Sequence, residues 1–109
     1  MNHELNFSGK ALRCNFEWYE WPYGIAVNAI FTEKNHEVGA IKFLCDESNE
    51  KYNEISNLSE DDILDRLVTA LKNKKLDSSI QNMFTWQSEV AKNGFNKISP
   101  IIAQLSDAF

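Results

Sequence analysis

The chain has 109 residues, 43% of them hydrophobic and 25% charged, with a net charge of −5. This is ordinary globular usage and enough chain for one core without metal or disulfide staples. No run approaches the ~18 apolar residues of a membrane span, and "MNHELNFSGK" lacks a basic region followed by an apolar one, so no secretory signal is read and the cytoplasm is the expected compartment.

A single domain over 1–109 is expected, with strands over about 4–46 and helices over about 50–109. Leu5 and Phe7, closed by "SGK", point to a short first strand. Leu12, Cys14, Phe16 and Trp18 alternate with Arg13, Asn15 and Glu17, and this period of two predicts a strand with one inward face. "WPYG" predicts a tight turn, with Pro22 presetting the first central φ and Gly24 tolerating a positive one. Ile25, Val27, Ala29 and Phe31 form a second alternating run, with Ile30 on the opposite face. After the polar "TEKNHE", Val38 to Cys45 predict a further strand with Ile41, Phe43 and Cys45 on one side. Short connections imply an antiparallel meander of three to four strands. In sequence order, Cys14 and Cys45 lie two strand spacings apart, roughly 9 to 10 Å. That is beyond disulfide reach, so two buried free thiols are expected.

The second half carries helical spacing. Tyr52, Ile55 and Leu58 fit a short helix or turn. Ser59 is placed to cap a longer helix, with Asp62 three residues on and an apolar stripe of Ile63, Leu64, Leu67, Val68 and Leu71. Asp77 or Ser78 starts another, carrying Ile80, Met83, Phe84, Gln87, Val90 and Ala91 and stopping near Gly94. Ser99 and Pro100 read as the cap and first residue of a last short helix with Ile101, Ile102 and Leu105. The whole predicts an α+β fold, the meander followed by three to four helices packed on one face.

Charge is unevenly spread. Between Asp46 and Asp65 stand eight acids (Asp46, Glu47, Glu50, Glu54, Glu60, Asp61, Asp62, Asp65) and one base, Lys51, a local net of −7. Glu60, Asp61 and Asp62 suit the first turn of a helix, where the dipole favours anions. The segment repels phosphate and attracts basic surfaces, which argues against direct nucleic-acid binding. A solvated connection is the plain alternative. In "FEWYEWPYGI", alternation sends Phe16 and Trp18 inward, while Tyr19 and Trp21 point the other way and Tyr23 lies in the turn. These outer rings fit either ordinary packing at a strand end or a contact surface, since tyrosine and tryptophan are enriched at interface hot spots.

Catalytic and metal signatures are thin. His3 lies near a terminus, and His36 stands alone among the flexible carboxylates of "EKNHE", too few ligands for a metal. No glycine-rich phosphate loop, G-x-S-x-G, H-E-x-x-H or C-x-x-C occurs. A spatial pairing of Cys14 or Cys45 with His36 stays open, although an inward strand cysteine is a poor nucleophile. No cofactor, no metal and no enzymatic activity are expected.

In whole-chain character, and in the acidic segment Asp46 to Asp65 with its neighbouring rings, the sequence resembles the small acidic bacterial toxin-immunity proteins of the contact-dependent-inhibition type. No motif of such a family is matched. The resemblance implies direct binding to a co-encoded, basic, nuclease-like toxin domain; separately, a free state that is monomeric or weakly dimeric is expected. The residues nominated for that contact are Asp46, Glu47, Glu50, Glu54, Asp65, Tyr19, Trp21 and Tyr23. Rival readings are a type III secretion chaperone, a phage-encoded acidic mimic and, last, a small enzyme.

Overall fold

Ser8 and Gly9 turn the chain at positive φ (49° and 80°), the conformation of a two-residue hairpin loop whose twist matches that of its strands. In the computed structural model, which describes residues 2–92 and 100–109, this loop joins β1 (His3–Phe7) to β2 (Lys10–Tyr19). Lys34 and Asn35, with φ of 51° and 68°, repeat the device between β3 (Gly24–Glu33) and β4 (His36–Asp46). The β2–β3 connection is built differently. The Gly24 N–H donates to the Trp21 carbonyl at 3.3 Å, with Pro22 at the first central position. Gly24 thus ends the turn and begins the strand. A Cβ there would run into the Cys45 carbonyl oxygen on β4, so the glycine answers a close approach between strands.

These four strands form the expected antiparallel meander, in the order β1-β2-β3-β4. The expected last helix is not formed at Ile101 and Ile102. Ile101–Gln104 is a fifth strand, β5, paired parallel to β4 from Ile41↔Ile101 to Leu44↔Gln104. Only Leu105–Ala108 coils, as a single 3-10 turn. Adjacent β-branched isoleucines favour extended backbone, and the helical segment between β4 and β5 is the long crossover that parallel pairing requires.

The helices follow the pattern read from the sequence: α1 (Tyr52–Ser56), α2 (Glu60–Lys72) and α3 (Asp77–Lys92). Ser59 Oγ accepts from the Asp62 N–H at 3.1 Å, satisfying one of the orphan donors of α2. Ile63, Leu67 and Leu71 are buried along its stripe, and Leu64 packs against the same core. On α3, Ile80 and Met83 are buried and Phe84 stacks on Phe7 of β1, ring centroids 5.8 Å apart. The expected stop at Gly94 and the Ser99 cap lie outside the described residues. Among the described residues no helix is long and apolar enough to cross a membrane.

Register sorts the sheet into two faces. Leu5, Leu12, Cys14, Val27, Phe31, Ile41, Phe43 and Cys45 enter one core with the buried residues of the helices. Cys14 sits opposite Phe31 and Cys45 opposite Ile25, at different ends of β3. This adds roughly 20 Å along the strand to the two spacings across it. Both cysteines are buried and free.

Candidate partner-binding surface

The β2–β3 turn and the start of the acidic segment meet at one end of the sheet. Tyr23 accepts from the Glu47 N–H at 2.9 Å through its carbonyl oxygen, and Gly24 is paired with Asp46. Trp21 and Tyr23 form an edge-to-face pair with centroids 5.8 Å apart, an arrangement that aromatic quadrupoles favour. Tyr23 is 63% exposed and Glu47 is also exposed. Two rings and the first acids of the segment thus share one rim.

The acids differ in freedom. Asp46 Oδ1 accepts from Ser48 Oγ at 2.6 Å and from the Ser48 N–H at 2.7 Å. These bonds, the hydroxyl's first, hold its carboxyl below the usual value. Asn49 and Lys51 tie the following turn to the C-terminus: Asn49 Nδ2 donates to Ser106 Oγ at 3.2 Å and Lys51 Nζ to the Ser106 carbonyl at 3.5 Å. Glu50 and Glu54 stay exposed in that turn and on α1. Asp65 is exposed on α2, a helix that packs against β1 and the C-terminal turn. The structure therefore joins Trp21, Tyr23, Asp46 and Glu47, continues into Glu50 and Glu54, and sets Asp65 on a separate element.

Tyr19 belongs to a neighbouring region, the sheet face opposite the helices. Lys42 Nζ stands 4.3 Å from its ring centroid, a cation–π contact. Tyr19, Trp21, Ala26, Lys42, Leu44 and Ile102 border a groove of about 220 Å³. Ile102 is 66% exposed and also lines a second groove beside Trp86 of α3, itself 45% exposed. Sequence reasoning missed Lys42, Leu44, Ile102 and Trp86. The alternate parity of β4 carried the signal for the first two, whereas Ile102 was hidden by the helical reading of its segment.

One buried polar group on this outer face is unsatisfied. Asn28 is only 7% exposed, between Glu17 and Lys42 in the cross-strand row, and its Oδ1 has no hydrogen-bond partner among the described residues.

The cysteine–histidine question resolves geometrically. His3, not His36, lies opposite Cys14 across the β1–β2 ladder, while His36 pairs with Glu33 beside the β3–β4 loop. Burial pushes the Cys14 thiol up to about 12. Burial, then the charge of Asp46, also raises Cys45. Thiolate formation is thus opposed at both positions. Among the described residues no three His, Cys, Asp or Glu side chains converge as metal ligands would.

No protein-family model matches the chain, and comparison with curated proteins and with solved structures likewise finds no match.

Proposed function

We propose that this chain is a small acidic binding protein, an immunity protein that neutralises a co-encoded, basic, nuclease-like bacterial toxin by direct contact in the cytoplasm, without cofactor or catalysis. The observation that carries this reading is the shared rim of Trp21, Tyr23, Asp46 and Glu47, locked by the Tyr23–Glu47 backbone hydrogen bond. Aromatic anchors such as the half-buried Trp21 and the exposed Tyr23 supply residence time at an interface, and surrounding carboxylates speed the encounter with a basic partner. Glu50, Glu54 and Tyr19 extend that surface. Asp65 contributes from α2 through the long-range field.

Co-expression tests the reading. The product of the adjacent gene should be toxic alone, harmless with this chain, and toxic again with a variant combining Trp21→Ala and Glu47→Lys. A neighbouring gene product that is harmless by itself, or a toxic one that the wild-type chain does not neutralise, would refute it. A stable dimer that instead holds an unfolded effector segment would favour the secretion-chaperone reading.

A further inference from the structure

Strand β2 outruns its edge neighbour. β1 pairs with residues 10–14, ending at His3↔Cys14, whereas β2 continues to Tyr19. Ladder parity then identifies the unpaired groups. In a two-residue hairpin the flanking residues, here Phe7 and Lys10, form a hydrogen-bonded pair, and such pairs recur at every second position. Leu5↔Leu12 and His3↔Cys14 are therefore the next ones. Continuing along β2, Phe16 and Trp18 direct their backbone N–H and C=O to the open side, and Asn15, Glu17 and Tyr19 direct theirs to β3. Among the described residues nothing pairs with Phe16 or Trp18 there.

The side chains of the same segment are sorted by face. Phe16 and Trp18 are half-buried against the helix-covered core, and Glu17 and Tyr19 are exposed on the other side. We propose that this edge receives an added β-strand from the protein partner. The strand carries apolar residues beside Phe16 and Trp18 and lysine or arginine beside Glu17. The inference rests on the reading above for the basic character of the partner. It adds where and how that partner docks: main-chain hydrogen bonds give affinity, and alternate side chains give specificity.

A second copy of this chain is a poorer occupant. Two-fold antiparallel pairing that matches Phe16 with Trp18 puts Glu17 directly against Glu17, and like charges in that position are destabilising. Sliding one way calls on Cys14, already paired with His3. Sliding the other way sets Trp21 and Pro22 of the copy against Asn15 and Cys14, where β1 ends. Glu17 thus guards the edge against its own kind, as charges on free strands do, while admitting a basic strand.

The test is amide hydrogen exchange on the full chain with a short blocked peptide in which lysine and valine alternate, at physiological salt. At saturation the peptide should slow exchange at Phe16 and Trp18 about tenfold or more, because their N–H groups gain acceptors. A glutamate–valine peptide should not protect them, and Glu17→Lys should exchange the two preferences. Protection should survive in the Trp21→Ala and Glu47→Lys variants. If it does while those variants lose toxin binding, the edge and the rim are separate parts of one interface. Toxin binding that leaves Phe16 and Trp18 unprotected refutes the edge proposal and spares the rim. Absence of protection by the lysine–valine peptide, or protection that grows with protein concentration alone, overturns the proposed occupant.

Discussion

On the helix-covered face of the sheet, Leu12, Cys14, Phe31, Ile41 and Phe43 are at most 1% exposed. One residue along β2, Arg13, Asn15, Glu17 and Tyr19 are exposed, while on the outer side of β3 and β4 Ala26, Asn28 and Ala40 are buried and Lys42 and Leu44 half-buried. The inner face is a packed interior, where any lost atom leaves a void. The outer face mixes polar and apolar groups: Lys42 over Tyr19, a buried Asn28 whose Oδ1 has no partner among the described residues, and exposed apolar residues such as Ile102. Stability therefore resides on one face, and the chemistry available for recognition lies on the other and at the turn end. The contrast is quantitative and can be broken by substitution.

The largest effect is expected inside. Phe43→Ala should cost about 3–5 kcal/mol and Leu67→Ala about 2–5 kcal/mol in denaturant unfolding, through lost transfer energy and residual cavities. Ile102→Ala on the outer face should cost no more than about 0.5 kcal/mol, as surface substitutions do. Equal losses at Phe43 and Ile102 would erase the distinction between the faces.

Cys14 gives the inner face a signature in pH. Its thiol is raised from an ordinary 9.0 to about 12 by burial. The unfolded chain therefore releases the proton first as pH rises. The contribution to stability is complete below pH 9.0 and declines as pH climbs toward the folded value. Between pH 8 and 10.5 this should remove up to about 2 kcal/mol. The difference between the wild-type and Cys14→Ala unfolding curves isolates the effect. A difference that does not change with pH would place the thiol in contact with water.

At the turn end, Gly24→Ala should cost about 1–3 kcal/mol, because the added methyl meets the Cys45 carbonyl, which belongs to backbone and cannot swing away. A change within about 0.5 kcal/mol would mean that β3 and β4 can part there without loss. The smallest effect is on the outer face. Asn28→Val removes a buried amide oxygen that has no partner among the described residues and adds a β-branched residue, so thermal stability should be unchanged or slightly raised. A loss above about 1 kcal/mol would show that Asn28 has a partner in solution.

Much of this division was legible beforehand because period-two alternation is a direct imprint of a sheet with one buried face. Leu12, Cys14, Phe31, Ile41 and Phe43 were placed by parity alone, and Ser59 by its capping chemistry. β5 was not legible. Four residues are too few to separate a strand from a helical turn, and the deciding interaction, pairing with Ile41 to Leu44, comes from about sixty positions away in sequence. The meeting of Tyr23 with Glu47 was unreadable for the same reason, since strand register sets it. Composition nominated the acids as one block. The fold separates them, tying Asp46 to Ser48 and setting Asp65 on α2.

The most direct test of the partner-binding rim is the kinetics of binding to the purified product of the neighbouring gene, the proposed partner, at two salt concentrations. Reversal of Glu47, Glu50 and Glu54 to lysine should lower the association rate and flatten its salt dependence. Trp21→Ala should leave association nearly unchanged and raise dissociation about tenfold or more, as loss of a hot-spot ring does. Rates that ignore salt, the charge reversals and the loss of Trp21 would contradict the assignment of the rim as the partner's site.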